Sequence, residues 1–389
     1  AYSDYKKADS SLINEVRGKT VIVFTGEPIK DSISYLTNTK EQTDWANDWK
    51  KKASYAKELG AKSVVIIVGK TDKDFYDRLG QLKSHLGQPS LSFTHKVRTS
   101  SAIFVPLSLA AEMLGMSPDN LVKYRNTRAD AIKNKAAFSD PTYPKKLAFK
   151  VEVEKSIIST ENVLGLIEGT DKKDEIVIIT AHYDHIGKDG DKIYFGADDD
   201  GSGTAALIEL AEAFSLAAKN GVKPRRSILI MPVTAEEKGL MGSEYYTDKP
   251  IFPLAKTVAD LNIDMIGRLD AEHKNDPNYV YIIGSNRLST KLHSINEEAN
   301  KKSVNIKLDY RYNSFNDPNR FYFRSDHYNF AKNNIPVIFY FTGIHEDYHK
   351  PTDTVDKIDF EKVSKITKLV FFTAWELANV EERISLDVK

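Results

Sequence analysis

Histidine and acidic side chains follow apolar stretches at four points in the middle of this sequence. The four segments are AHYDHIG, FGADDDGSGTAA, TAEEKGLMGSE and DLNIDMIGR, which begin at residues 181, 195, 234 and 260. The chain contains no cysteine, so a metal ion would have to be held by imidazole nitrogens and carboxylate oxygens. These residue types, placed where strands are expected to end, predict a cation site.

The first segment places His182 and Asp184 two residues apart. On an extended backbone the two side chains face the same side. A carboxylate beside a metal-binding histidine can fix its tautomer and its orientation. The alternative is a hydrogen-bonded His–Asp pair at a strand end, without a metal.

The second segment has three consecutive aspartates, Asp198, Asp199 and Asp200, at the start of an expected helix. A phosphate-binding turn carries lysine and no acids, whereas three carboxylates repel phosphate and attract a hard cation. The alternative is capping of the helix by aspartate, but one cap does not require three acids.

The other two segments carry Glu236 beside Glu237, and a single Asp264 between apolar residues. Neighbours on an extended chain point in opposite directions, so one glutamate can bind a metal while the other acts as a base. A solvated charge pair is the alternative. Asp264, if buried, needs a partner charge or a metal, because an unpaired buried charge is costly.

A further stretch, HEDYH at residues 345–349, matches the H-E-x-x-H pattern of helical zinc sites. That pattern requires a helix, so that both histidines share one face. The flanks favour a loop: the preceding IPVIFYF is typical of a buried strand, Gly343 breaks it, and Pro351 disfavours helix at Lys350. We therefore expect that His345 and His349 need not converge and that Glu346 is not the base.

Composition indicates a globular chain of two domains. Its 389 residues are 41% hydrophobic and 28% charged, with 55 basic and 55 acidic side chains. A net charge of zero favours neither nucleic acid nor an anionic membrane surface. No apolar run approaches the roughly 20 residues of a membrane span.

Strands and helices alternate, which predicts an α/β fold with a largely parallel sheet. In the first part, strands are expected at 19–24, 62–69 and 102–108, with a helix over 44–60. The polar, proline-containing SDPTYPKK at 139–146 is the best domain boundary. In the second part we expect helices at 201–221 and 359–382 and strands at 147–155, 162–169, 278–284 and 335–343. Segments 174–187, 225–237 and 257–268 are expected to begin as strands and end as loops. Polar residues cluster at the carboxyl ends of these strands, where α/β sheets form their sites.

Taken together, HYDHIG, GADDDGSGTAALIELA, AEEKGLMGSEYY, NIDMIGR and DYHKPTDT resemble the M28 zinc peptidases, over roughly residues 147–385. The resemblance implies a three-layer α/β fold of the zinc exopeptidase, phosphorylase/hydrolase-like type, with a mixed, largely parallel sheet. It also implies two zinc ions, or other divalent metals. His182 and Asp264 would bind one, Glu237 and His349 the other, and Asp199 would bridge them.

The same resemblance assigns catalytic roles. Glu236 would be the general base toward a metal-bridged hydroxide, Asp184 would orient His182, and Tyr348 would hydrogen-bond the tetrahedral oxyanion. Two Zn²⁺ carry four positive charges, which three carboxylates and a hydroxide would balance. Asp198 and Asp200 would cap or support this set.

The implied activity is hydrolysis of peptide bonds at a chain terminus, with an aminopeptidase expected. A carboxypeptidase or dipeptidase, a glutaminyl-cyclase-like acyltransferase and a catalytically dead binding protein remain alternatives. The pocket side chains decide between amine and carboxylate recognition, and Arg268 and Arg324 could meet a carboxylate. His327 could line the cleft. His185 follows His182 too closely to bind the same metal easily.

Residues 1–143 resemble the protease-associated domain, through VRGKTVIVFTGEP, KASYAKELGAKSVVII and AIFVPLSLAAEMLG. The expected organisation is therefore this accessory domain at 1–143 and a catalytic domain at 144–389. In the family a helical segment usually precedes the accessory domain, so we expect it to be trimmed or absent here. The resemblance favours a secreted or periplasmic enzyme acting on peptides, and the oligomeric state is left open.

Overall fold

The computed structural model describes residues 16–30, 32–86, 91–94, 102–134 and 156–388. The chain divides into two compact units, Ala1–Lys155 and Ser156–Lys389. The predicted boundary at 143/144 lies outside the described residues and stays a prediction. So does the predicted strand at 147–155.

The first unit contains a parallel three-stranded sheet in the order β1-β4-β5. The described strands of this unit are β1 Thr20–Phe24, β2 Ile29–Lys30, β3 Ile33–Ser34, β4 Ser63–Ile67 and β5 Ala102–Val105. Strands β2 and β3 form a separate antiparallel pair. Its helices are α1 Asp44–Asn47, α2 Trp49–Glu58, α3 Asp72–Leu86, α4 Leu107–Leu114 and α5 Pro118–Lys133. The three predicted strands are confirmed.

Helix is present in the region predicted over 44–60. The prediction of a single helix was wrong, because the helix is interrupted at Asp48. This residue has extended backbone angles, and its carboxylate caps α2 by accepting the N–H of Lys50. Aspartate at a helix start competes with helix continuation in this way. The likeness of this unit to a protease-associated domain stays a prediction.

The second unit is built on a seven-stranded sheet. The strands of this unit, including two outside that sheet, are β6 Gly165–Ile167, β7 Lys172–His182, β8 Gly187–Asp189, β9 Lys192–Tyr194, β10 Arg226–Val233, β11 Thr257–Ile263, β12 Tyr279–Ile283, β13 Lys307–Asp309 and β14 Val337–Phe341. Its helices are α6 Gly201–Lys219, α7 Met241–Asp248, α8 Thr290–Lys302, α9 His327–Ala331 and α10 Phe360–Asn379. Strands β8 and β9 form a separate hairpin.

The strand order is β13-β12-β14-β11-β7-β10-β6, and the four central strands β14, β11, β7 and β10 are parallel. Strand β6 is antiparallel to β10 at one edge, and β12 is antiparallel to β14. The predicted largely parallel sheet and the strand predicted at 162–169 are thus confirmed, and that strand lies at the edge of the sheet. The carboxyl ends of the four central strands meet along one edge.

Helices cover both faces of this sheet, which confirms three layers. On one face, α6, α8 and α10 pack Leu210, Leu292 and Leu369 against the sheet. On the other, Tyr246 of α7 and Phe330 of α9 pack against it. The central strands are buried on both sides, which explains their continuous apolar sequence. Among the described helices, none is long and apolar enough to cross a bilayer.

Helix α6 follows the aspartate-rich segment, and its packing offers a paired stability test. Leu210 is 1% exposed in the core, whereas Ile208 on the same helix is 63% exposed. We expect Leu210→Ala to lower the free energy of unfolding by about 2–5 kcal/mol, because a cavity adds to the lost transfer energy. Ile208→Ala should change it by less than about 0.5 kcal/mol. Urea denaturation followed by circular dichroism measures both, and equal losses would contradict the packing described.

Candidate metal centre

The predicted ligands lie together at the carboxyl edge of the sheet. His182 is the last residue of β7, Asp264 directly follows β11, Glu237 follows β10, and His349 lies in the loop after β14. Asp199 precedes α6 and stands between the others. Its Oδ1 is 3.2 Å from His182 Nε2, and its Oδ2 is 3.2 Å from His349 Nε2.

Each oxygen of Asp199 belongs to a separate set of donor atoms. In the set here called the Asp264 group, His182 Nε2 is also 3.7 Å from Asp264 Oδ1. In the Glu237 group, His349 Nε2 is also 3.3 Å from Glu237 Oε2. Donors held about 2 Å from a tetrahedral zinc lie about 3.3 Å from one another. The spacing within both groups is therefore close to what a bound ion requires.

Several of these donor atoms are buried without a hydrogen-bond partner among the described residues. They are His182 Nε2, Asp199 Oδ2, Glu237 Oε1 and Asp264 Oδ1. Buried polar atoms in folded proteins nearly always have a partner, so a converging set of unpartnered ones indicates a missing ligand. These atoms converge with imidazoles around Asp264 and around Glu237, so the residues present fit divalent cations.

Asp200 ties the aspartate segment to two strands. Its carboxylate accepts the backbone N–H groups of His182 (3.2 Å) and Met265 (3.2 Å), and it caps α6 through Gly203 (2.9 Å). Its neighbour Asp198 accepts the N–H of Gly267 at 2.6 Å. The two aspartates that flank Asp199 thus hold the backbone in place, in agreement with the capping and supporting roles predicted for them.

Asp353 holds Asp199 from the opposite side. Its Oδ2 accepts the backbone N–H groups of Asp198 (3.1 Å) and Asp199 (3.2 Å). The Asp353 side chain is fully buried, 0% exposed. The position of Asp199 is therefore fixed by main-chain contacts to a carboxylate more than 150 residues away.

Asp184 contacts both sides of the centre. Its backbone carbonyl lies 2.9 Å from His182 Nδ1, while its carboxylate oxygen is 3.8 Å from that nitrogen. The carboxylate instead accepts the backbone N–H groups of Glu236 (2.9 Å) and Glu237 (3.3 Å). The orienting contact to His182 is thus made by the main chain of Asp184, and its side chain positions the two glutamates.

Sequence reasoning missed the partner of Asp264. Ser325 Oγ donates to Asp264 Oδ2 at 2.7 Å, and Asn262 Nδ2 donates to Ser325 Oγ at 2.8 Å. Ser325 and Asn262 are both buried. These contacts leave the other oxygen, Oδ1, directed at His182. No local pattern in the sequence pairs residues 61 positions apart.

Three backbone positions at the centre have left-handed angles. Ala235, Met265 and His349 have φ of 55°, 55° and 56°. Such conformations cost on the order of 1–3 kcal/mol for residues other than glycine and cluster at functional sites. Ala235 precedes the two glutamates and Met265 follows Asp264, so each marks a sharp change of direction where a ligand leaves its strand.

The predicted loop at HEDYH is confirmed, because residues 346–349 form turns rather than a helix. Glu346 is exposed, away from the donors. His345 Nε2 lies 3.4 Å from Asp198 Oδ2, and only His349 reaches the donor groups.

A cleft opens beside the donors. Asp199, Glu236 and Asp264 line one part of it, and the rest is largely apolar and aromatic. The remaining lining residues are Met265, Phe321, Arg324, Phe339, Phe341, Ile344 and Tyr348. Burial raises the pKa of the Glu236 carboxyl well above its ordinary value, and nearby carboxylates add to the shift. A raised pKa suits a group that takes up and returns a proton near neutral pH.

Arg268 and His327 are engaged elsewhere. Arg268 forms an ion pair of 2.9 Å with Asp347. His327 is 0% exposed and stacks on Phe339, and burial lowers its pKa to about 3. Of the two arginines considered for carboxylate recognition, Arg324 is the one that lines the cleft.

Comparison with known proteins identifies the class to which this fold and site belong. Residues 162–374 match the family described as peptidase family M28, and the chain belongs to that family. It is 40% identical over 112 residues to a probable glutamate carboxypeptidase of Arabidopsis thaliana, covering 28% of this chain and 15% of that one. It is 28% identical over 240 residues to a probable leucine aminopeptidase of Trichophyton verrucosum, covering 59% and 61%.

Among solved structures, an aminopeptidase from an Aneurinibacillus species is 19% identical, with a TM-score of 0.49. The alignment covers 96% of this chain and 77% of that one. The chain spans less than two thirds of the length of both sequence relatives named above.

Asp326, next to Ser325 in the sequence, is a buried carboxyl group whose ionisation can be tested through the pH dependence of stability. It is 0% exposed, Ser243 donates to its Oδ1, and its Oδ2 has no partner among the described residues. Burial raises its pKa to about 7. The folded chain therefore keeps this proton between pH 4 and 7 while the unfolded chain releases it, so stability falls as pH rises through that range.

We expect Asp326→Asn to remove this dependence. The difference in unfolding free energy between the variant and the parent chain should grow by a few kcal/mol from pH 4 to pH 7, since one pKa unit corresponds to about 1.4 kcal/mol. Urea denaturation in the presence of a chelator measures it. A difference that stays constant with pH would show that Asp326 ionises normally.

Proposed function

We propose that this protein is a di-zinc exopeptidase that hydrolyses peptide bonds at a chain terminus and acts as an aminopeptidase. The observation that carries the proposal is the position of Asp199, whose two oxygens each lie 3.2 Å from an imidazole of a different donor group. In this proposal His182 and Asp264 hold one zinc, Glu237 and His349 the other, and Asp199 bridges them. Bound zinc would supply a water of lowered pKa and polarise the scissile carbonyl.

Glu236 is proposed as the general base. It lines the cleft beside Asp199 and Asp264, and its backbone N–H is fixed by the Asp184 carboxylate. Its carboxylate would take the proton of the attacking water and deliver it to the leaving amine. The adjacent Glu237 faces the donors instead, as expected for neighbours after a strand.

Tyr348 is proposed to stabilise the tetrahedral oxyanion. Its ring stacks on His349 with centroids 3.8 Å apart, and Arg324 Nη2 donates to its hydroxyl oxygen at 3.3 Å. Because that oxygen accepts from Arg324, the hydroxyl proton is left free to donate to a substrate oxygen.

Replacing the base gives the first test. Glu236→Gln should lower kcat for leucine-p-nitroanilide by roughly 100- to 10,000-fold, because the amide cannot accept the proton. Zinc content should be unchanged, since Glu236 is not a proposed ligand. The matched control is Glu346→Gln, which changes the exposed glutamate of HEDYH and should keep full activity. Full hydrolysis by Glu236→Gln, or loss in both variants, would contradict the assignment.

The apolar lining of the cleft supports recognition of a large apolar terminal residue. This agrees with the likeness to a probable leucine aminopeptidase. Arg324 favours the second candidate, a carboxypeptidase or dipeptidase, because a guanidinium beside the donors could bind a terminal carboxylate. That candidate agrees with the likeness to a probable glutamate carboxypeptidase.

Peptides blocked at one end separate the two candidates. An aminopeptidase should cleave a peptide with a free amine and an amidated carboxyl end, and leave intact the same peptide with an N-acetyl group and a free carboxyl end. Arg324→Gln should then leave KM nearly unchanged. If Arg324 binds a carboxylate, KM for peptides with a free carboxyl end should rise roughly 10- to 100-fold, the loss of a charged hydrogen bond. Cleavage of only the N-acetylated peptide would reject the aminopeptidase.

Two wider proposals follow from the family. Residues 1–143 are proposed to form a protease-associated-like domain, and the enzyme is proposed to work in a secreted or periplasmic setting. The substrate class is peptide.

A further inference from the structure

His185 lies against the donor groups, although it was expected to be too close to His182 to share its metal. Strand β7 ends at His182, and the ring of His185 is directed to the Glu237 group instead. His185 Nδ1 is 2.9 Å from Glu237 Oε1 and 3.9 Å from Asp199 Oδ2. These distances bracket the spacing between donors around one ion.

The ring of His185 packs closely against the backbone at Gly196. Gly196 has a left-handed φ of +61°, and a Cβ at this position would lie 2.5 Å from His185 Cγ and 2.3 Å from the carbonyl oxygen of Asp199. Only a residue without a side chain therefore fits between the ring and the aspartate segment. The backbone at Gly196 therefore packs directly against the ring of His185 and the carbonyl group of Asp199.

Both ring nitrogens of His185 are buried and neither makes a well-aligned hydrogen bond to the described residues, although Nδ1 lies 2.9 Å from Glu237 Oε1. A histidine kept for structural hydrogen bonding would have one. Its side chain is 8% exposed, whereas the His349 side chain in the same group is 39% exposed. His185 is thus the more enclosed of the two imidazoles, and its Nδ1 lies 2.9 Å from Glu237 Oε1 without a well-aligned hydrogen bond between them.

We propose that His185 is a fourth protein ligand of the metal held by the Glu237 group. This inference rests on the proposed metal pair and adds a residue to it. The Glu237 group would then offer Asp199, Glu237, His349 and His185, while the Asp264 group offers three side chains. A set of four protein donors is typical of a closed site, and a set of three leaves a position for water or substrate. The two metals are therefore not equivalent.

The test measures zinc binding rather than activity. The full chain, stripped by chelator, is dialysed against zinc buffers of defined free concentration, and bound zinc is counted by plasma mass spectrometry. The parent chain should bind two zinc ions. His185→Ala should weaken one of the two by more than about 100-fold, because loss of even an outer contact costs roughly 10- to 100-fold. The control His293→Ala removes a partly exposed histidine of α8 and should bind like the parent.

X-ray absorption on the zinc-loaded parent chain provides a second measurement, which does not depend on the folding of any variant. The inference predicts three imidazoles per two zinc ions, from His182, His185 and His349, and the five-ligand set without His185 predicts two. A count of two, or a loss of affinity below about 10-fold in a folded His185→Ala, would overturn the role of His185 alone. Failure of the parent chain to bind a second zinc would overturn both this inference and the metal pair.

Discussion

The second unit is organised around a cluster of buried carboxylates that need positive charge. Asp199, Glu237 and Asp264 converge at one edge of the sheet, and their neighbours within ion-pair distance are imidazoles. Placing such groups in a protein interior is unfavourable unless opposite charge or a cation compensates. The backbone around the cluster is held in place, because the carboxylates of Asp184, Asp200 and Asp353 accept the backbone N–H groups of residues that form or adjoin it.

The parallel sheet explains why these residues meet. Strands β7, β10, β11 and β14 end at the same edge, so residues far apart in sequence become neighbours there. Ala235 and Met265 then turn the chain sharply just beyond β10 and β11. The rigid strands fix where each loop begins, and the left-handed residues fix where it goes.

Much of this could be predicted from sequence, for identifiable reasons. Asp264 stands in an apolar stretch, and three consecutive aspartates exceed the needs of one helix cap. These local anomalies pointed to the donors before any geometry was known. Spacing along the sequence argued against His185 sharing a metal with His182, but it could not show that the ring lies beside Glu237, because that contact depends on the tertiary fold. Ser325 could not be found at all, since its contact with Asp264 depends on the tertiary fold.

The origin of the donors has a consequence for how the protein acquires its metal. His182, Asp199, Glu237, Asp264 and His349 come from five segments separated by strands and helices, so an unfolded chain cannot gather them. Small zinc domains, by contrast, fold around their ion. On the proposed assignment, the sheet assembles before the metal binds, and the ion enters a site that is already formed. The presence of bound metal in a molecule would then indicate that its second unit has folded completely.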